Sequence, residues 1–306
     1  MTATVKIAIA GLGTVGMGTV ELLERHSKLL AARCGRAIEI VAVSARDRSK
    51  DRGADISGFD WFDDPVAMAR ETSADIVVEL VGGSEGPARE TCEAAIATGK
   101  HVVTANKALI ALHGTELARA AENAGVALAY EAAVAGGIPV IKALREGLVG
   151  NRIERLHGIL NGTCNYILTT MRETGRTFED VLAEAQELGY AEADPSFDVD
   201  GVDAAHKLAI LTSVAFGTEV DFENVHIEGI RNIAPEDIEY AGEFGYRIKL
   251  LGICERTENG VQQRVHPAMV PLGTPLSSVD GVFNAVVTEG DFVGTTVLEG
   301  RGAGAG

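Results

Sequence analysis

Positive charge is scarce in this chain. Lys and Arg total 27 against 44 Asp and Glu, a formal net charge of −17, which argues against nucleic acid or an anionic membrane surface as a partner. Cysteine is equally sparse. Cys34, Cys92, Cys164 and Cys254 are scattered, with neither metal-ligand spacing nor a disulfide framework, so free thiols in a reducing cytoplasm are the expectation. No apolar run approaches a membrane span, and the N-terminus lacks the basic-then-apolar layout of a signal peptide. Proline is rare at 8 residues while glycine reaches 36 and hydrophobic residues 46%, a balance that excludes disordered and fibrous classes and fits an α/β enzyme. A length of 306 residues supplies about two domains. There is no internal repeat or low-complexity linker.

What is present begins with "VKIAIAGLGTVG": an apolar strand, then Gly11-Leu12-Gly13-Thr14-Val15-Gly16, then a helical pattern predicted from Thr14 to about Ala32 on the repeat of Val15, Leu22, Leu23, Leu29 and Leu30. A glycine triplet between strand and helix is the demanding context for a dinucleotide site. Gly11 makes the tight turn, Gly13 lets a pyrophosphate approach, and Gly16 permits close packing, while the N–H groups of the helix start hold the phosphates. Further strands are predicted at 37–44, 74–82, 100–106 and 125–134, with helices over 65–72, 86–98 and 107–124. That alternation is the mark of a Rossmann-type, doubly wound parallel sheet. After the second strand come Arg46, Asp47 and Arg48. The arginines suit the 2′-phosphate of NADP, Asp47 suits the ribose of NAD, and a solvated loop explains them equally well. In "TANKALI" Lys107 directly follows a strand, at the sheet edge where ligands bind in open α/β folds.

Beyond Val149 the pattern changes. "RIERLHGILNGTCNYILTTM" is a strand passing through Asn161-Gly162-Thr163 into a helix. "TFEDVLAEAQELG" is a helix capped by Thr177 with Asp180 and stopped by Gly189. From His226 onward, extended segments at 226–233, 246–255, 261–270, 282–289 and 292–299 alternate with short helices. A second α+β domain for substrate binding follows, over 136–299, against a dinucleotide-binding domain of 1–135 with 300–306 returning toward it.

The densest chemistry lies in "GYAEADPSFDVDGVDAAHKLAIL", residues 189–211. It is not a calcium loop, because Lys207 stands where a bidentate Glu is needed. Asp200 is predicted to N-cap the helix, with Asp203 in its first turn. Asp203 and Lys207 share a face and would be worth only about 0.3–0.5 kcal/mol on an exposed helix. This helix is apolar nearly all round, hence buried, and buried charges are kept when paired or used. Glu192 and Asp194 lie in a loop, free to reach a ligand. Hydride transfer to an aldehyde creates an oxyanion that needs a proton, and an ammonium steered by a carboxylate one turn away supplies it. The residues alone point to a nicotinamide-dependent oxidoreductase acting on an amino-bearing carbonyl or alcohol.

"GLGTVG", "TANKAL", "EAAVAGGIP", "LNGTCNYI" and "GYAEADPSFDVDGVDAAHK" occur in the order found in homoserine dehydrogenases, and the chain resembles that family over nearly its whole length. The resemblance implies reversible NAD(P)H reduction of aspartate 4-semialdehyde to L-homoserine, toward threonine and methionine. Lys207 matches the proton donor, Asp203 and Glu192 the substrate carboxylates, and Lys107 a lysine contacting cofactor and substrate. Gly11, Gly13, Thr14, Val15, Gly16, Arg46, Gly189 and Gly302 fall on the cofactor side, and Thr163 on the substrate side. A sodium ion is implied on carbonyls of Glu131, Val134, Gly136 and Ile138, and a cytoplasmic homodimer as the assembly. Family members continue past the glycine-rich turn with a helix that packs back on the nucleotide sheet, and many append a regulatory domain. A chain ending at Gly306 is therefore expected to show weakened cofactor closure or stability, and no threonine feedback through such a domain. The competing expectations are a dehydrogenase for another amino-bearing substrate, and a nonenzymatic NADP-binding sensor or inactive paralogue.

Overall fold

In the computed structural model, which describes residues 4–303, the first apolar run forms β1 (Val5–Ala10). Its side chains alternate between two cores, Ile7 and Ile9 on one face and Ala8 and Ala10 on the other. A strand covered on both faces reads as a continuous apolar run. The following elements are α1 (Thr14–Arg25), α2 (Ser27–Cys34), β2 (Ile38–Ser44), β3 (Asp60–Phe62), α3 (Pro65–Glu71) and β4 (Ile76–Glu79). Then come α4 (Pro87–Ala97), β5 (His101–Thr104), α5 (Lys107–Ala124) and β6 (Leu128–Ala129). All neighbours pair in parallel in the order β3-β2-β1-β4-β5-β6. The order reverses between β1 and β4, which places the ligand crevice outside their carboxyl ends.

The predicted helix over 14–32 is interrupted. His26, at φ −105° and ψ 16°, ends α1 and precedes α2. The predicted apolar face also differs: Val15, Leu22 and Leu29 are exposed. Gly16 and Val20 are buried, with Met17 and Leu23 packed on the core, so the buried stripe follows a 3.6-residue period from Gly16.

The second unit opens with α6 (Val140–Lys142), which runs into a π turn over Ala143–Gly147. It continues with β7 (Ile153–Ile159), α7 (Gly162–Thr174), α8 (Phe178–Glu187), α9 (Ser196–Val199), α10 (Val202–Phe216), β8 (His226–Ile227) and α11 (Pro235–Glu243). The remaining strands are β9 (Tyr246–Thr257), β10 (Gly260–Pro271), β11 (Phe283–Gly290) and β12 (Gly294–Arg301). The sheet order is β12-β11-β7-β9-β10-β8, antiparallel except for the parallel β10–β8 pair. Helix α10 packs on β7, β9 and β10, and its Leu208, Ala209, Ile210 and Leu211 are each fully buried.

The two units divide between Ala133 and Val134. Gly300–Ala303 group with the second unit, while the expected return of the chain end over 304–306 lies outside the described residues. Among the described residues no helix is long and apolar enough to cross a membrane.

Candidate active site

In the first unit the glycine turn has three distinct environments. Gly11 has φ +98°, a region closed to most residues, and an added Cβ would press on the Leu80 backbone. A Cβ on Gly16 would land on the Gly11 carbonyl oxygen. A Cβ on Gly13 would meet nothing within 4 Å. The open face of the turn is thus at Gly13, beside the exposed Thr14 and Val15 that begin α1. A diphosphate fits that face and the free N–H groups of the helix start.

The neighbouring edge is fixed by a carboxylate that sequence reading missed. Glu79, at the end of β4, is fully buried. Its Oε1 accepts from the N–H groups of Val81 (2.7 Å) and Gly82 (3.2 Å), and its Oε2 from Thr104 Oγ1 (2.6 Å). Thr104 Oγ1 in turn accepts from Asn106 N–H, whose side chain caps α5 and donates to the Gly83 carbonyl. This network ties the ends of β4 and β5 together and sets Lys107, half-buried, as the first residue of α5.

Past β2, Arg46 is exposed. The Asp47 carboxylate folds back onto Ser49, accepting from its N–H (2.8 Å) and Oγ (2.7 Å). Those bonds hold its carboxyl below the usual range. The guanidinium groups of Arg48 and Arg52 lie 5.8 and 5.6 Å from the Trp61 ring centre.

In the second unit a cavity of about 290 Å³ is lined by Asn161, Thr163, Gly189, Tyr190, Asp198, Asp203, Lys207, Asn284 and Gly302 among others. Lys207 and Asp203 project from successive turns of α10. The Lys207 ammonium donates to Asp203 Oδ2 (2.6 Å) and to the Leu160 carbonyl (2.8 Å). Their side chains are only 14% and 4% exposed, so this pair escapes the solvent screening that weakens surface pairs. Asn161 Nδ2 donates to both Asp198 Oδ1 and Asp203 Oδ2 at 2.8 Å. Thr163 Oγ1 donates to the Tyr190 carbonyl (2.8 Å), fastening α7 to the loop after Gly189. Burial, and then the Asp198 and Asp203 carboxylates, push the Cys164 thiol well above its ordinary range, so it stays protonated and donates to the Asp198 carbonyl (3.2 Å).

Two sequence expectations change here, those for Asp200 and Asp194. Asp200 is not the N-cap of α10. That position is Gly201, and Asp200 pairs with Arg231 through both carboxylate oxygens. Asp194 is occupied by the Ser196 N–H (3.1 Å). Glu192 is exposed, and its carboxylate is not among the groups lining the cavity.

The homoserine dehydrogenase family model matches residues 139–306, and the model for the homoserine dehydrogenase NAD binding domain matches residues 11–131. Among curated relatives, the homoserine dehydrogenase of Pseudomonas aeruginosa is 55% identical over 302 residues, 98% of this chain and 68% of the relative. The chain belongs to the homoserine dehydrogenase family. The homoserine dehydrogenase of Corynebacterium glutamicum is 47% identical over 99% of the chain and 68% of its own length. Among solved structures, the homoserine dehydrogenase of Thiobacillus denitrificans superposes with a TM-score of 0.95 at 52% identity, covering 98% of this chain and 69% of that one. A hyperthermophilic archaeal homoserine dehydrogenase in complex with NADPH superposes at 0.83 with 28% identity, over 98% and 92% of the two chains.

As a family of NAD(P)-dependent oxidoreductases, homoserine dehydrogenases need the glycine turn described above, and its three environments separate stability from binding. Gly16→Ala is expected to cost about 1–3 kcal/mol, because a methyl driven into a backbone carbonyl is overpacking. Gly13→Ala should leave the melting temperature nearly unchanged but weaken NADP binding about tenfold by blocking close approach. Thermal melts and fluorescence titration with NADPH check both. Equal melting temperatures for the two variants would contradict this division.

The residues missed in the sequence were Asn161, Asp198, Asn284 and Glu79. Asp198 stood in plain view within the acid cluster, and Asn161 within a turn. Their joint signal is spatial: 37 positions separate them.

Proposed function

We propose that the chain catalyses the reversible, nicotinamide-dependent interconversion of aspartate 4-semialdehyde and L-homoserine. One observation carries this reading: a buried lysine–aspartate pair lines a cavity with a second carboxylate beside it. When bound, the nicotinamide cofactor supplies or accepts the hydride. Lys207 holds a proton at Nζ, and the aldehyde oxygen takes that proton as the carbonyl is reduced, or returns it when the alcohol is oxidised. Asp203 keeps the ammonium aimed in its buried setting. Asp203 and Asp198, with Glu192 from the adjoining loop, favour a substrate that carries its own ammonium. Lys107, held by the Glu79 network, favours cofactor and substrate groups of negative charge. Gly189 and Gly302 present bare backbone to the cofactor. At Gly302 a Cβ would overlap Asn284 Oδ1, so no larger residue fits.

NADP is the proposed cofactor in preference to NAD. Arg46, Arg48 and Arg52 supply the positive charge a 2′-phosphate requires, while the Asp47 carboxylate, which would favour a ribose hydroxyl, is engaged by Ser49. A monovalent cation, sodium, is proposed on the carbonyls of Glu131, Val134, Gly136 and Ile138. Support comes from Ala135, whose φ of 47° is the only positive value at a non-glycine position among the described residues, a strain that needs compensation. The Ile138 carbonyl already accepts from Val140 N–H (2.7 Å), which leaves it one further lone pair. A homodimer in the cytoplasm completes the reading, consistent with four unpaired cysteines.

Nicotinamide absorbance with L-homoserine tests it. Reduction of the cofactor is expected, faster with NADP than with NAD. No turnover on homoserine, with turnover on another amino-bearing alcohol, would transfer the site to a different dehydrogenase. Cofactor binding without turnover on either would favour a sensor.

A further inference from the structure

We infer that Asn161 is a positioning residue that locks Asp198 and Asp203 into one fixed acceptor pair and, through Asp203, aims the Lys207 ammonium; the inference rests on reading this cavity as the homoserine site. Asn161 is 4% exposed and stands immediately before α7. Its Oδ1 accepts from Cys164 N–H (2.8 Å), the N-cap bond of the helix. That bond orients the amide, with oxygen toward the helix and nitrogen away from it. The two protons on Nδ2 then go to Asp198 Oδ1 and Asp203 Oδ2. The preceding residue holds the other member of the ion pair, since the Leu160 carbonyl accepts from Lys207 Nζ (2.8 Å). Leu160 and Asn161 together grip both ends of the Lys207–Asp203 bridge.

Two carboxylates brought to a common donor repel, and without that donor one of them gains a proton more easily. An amide that can only donate from Nδ2 favours both carboxylates in their ionised form. The other charged or titratable groups around this pair are Lys207 on α10, Asp200 with Arg231, the Cys164 thiol on α7, and Tyr190 in the loop before α9. Of these, Lys207 bonds Asp203 directly. Asn161 is the neutral group shared by both acids. It therefore holds both acids as fixed acceptors and keeps Asp203 Oδ2 in place for the Lys207 ammonium.

The simpler account is that Asn161 only caps α7. Ser and Asp cap helices about as well as Asn, so Asn161→Ser and Asn161→Asp preserve the cap while removing the shared donor. Asn161→Asp also adds a third carboxylate. Both variants are expected to fold, with KM for NADP within about twofold of wild type. Loss of a hydrogen bond to a charged group predicts kcat/KM for L-homoserine about tenfold to a hundredfold lower in Asn161→Ser. Asn161→Asp should be lower still, with the acid limb of its pH profile displaced to higher pH. Carboxyl titration by ¹³C NMR of aspartate-labelled protein reads the lock without turnover, and an upward-shifted aspartate is expected in Asn161→Ser. Activity and pH profiles unchanged in both variants, with no shifted aspartate, would overturn the inference. Loss of fold in both would also overturn it, making the shared donor a support of the fold rather than of the site. A wild-type protein that fails to oxidise homoserine yet shows the shifted aspartate in Asn161→Ser would remove the functional reading and leave the lock standing.

Discussion

Lys207→Ala is expected to lower kcat for homoserine oxidation by about a thousandfold, within the range for loss of a general acid–base. NADP affinity should stay within about twofold of wild type, because the glycine turn lies in the other unit. Alanine also strands Asp203, which is almost fully buried, and removing one partner of a buried pair costs about 3–5 kcal/mol. Asn161 still donates to Asp203, so the lower end of that range is expected. Lys207→Arg separates the two effects. A guanidinium keeps the positive charge beside Asp203 but does not give up its proton, so stability should largely return while kcat stays low. Recovery of turnover in the arginine variant would mean that Lys207 supplies only charge, and the proton would have to come from elsewhere.

The difference between what could and could not be read from the sequence follows from the range of each interaction. The glycine turn was readable because its requirements are local: Gly11, Gly13 and Gly16 act on one strand and one helix start. The Asp203–Lys207 pair was readable because a four-residue spacing on an apolar helix forces two charges onto one buried face. Asp200 was misread because its partner, Arg231, lies 31 positions away, and a local rule offered an N-cap instead. Glu79 and Lys249 were invisible for the same reason. Each stands in an apolar run, and partners that make its burial tolerable, Thr104 for Glu79 and Asn165, Val279 and Asp280 for Lys249, arrive from distant positions. The break at His26 and the exposed Val15, Leu22 and Leu29 mark another limit. Apolar spacing predicts a helix but not which of its faces the unit covers. The two-residue β6 and β8 fell where longer extended segments were expected.

Lys249 gives the second large effect. It is 1% exposed on β9, and its ammonium donates to Asn165 Oδ1 (3.0 Å), the Val279 carbonyl (2.6 Å) and Asp280 Oδ1 (3.0 Å). Burial pushes its pKa down, with Asp280 opposing that shift. Lys249→Met keeps the bulk of the side chain but removes the cation and leaves these acceptors to be satisfied otherwise, so a loss of about 3 kcal/mol is expected. Denaturant unfolding measures it. The pH dependence supplies a second reading. Burial alone would raise the Asp280 carboxyl, but hydrogen bonds from Arg172 and Lys249 outweigh it and draw it from 3.8 to about 2. A carboxyl depressed in the folded state stabilises it above 3.8, and that contribution fades as pH falls toward 2. Lys249→Met should make the fall shallower, since Arg172 alone then holds the carboxylate, and Asp280→Asn should abolish that component. The effect extends to the active cavity. Asn165, which accepts from Lys249, donates to the carbonyls of Val279 and Phe283, and Phe283 lies between the cavity-lining Val282 and Asn284. Loosening this peg should therefore raise KM for homoserine as well as lower stability. A methionine variant as stable as wild type, with an unaltered acid transition, would show that the buried ammonium is neutral to the fold.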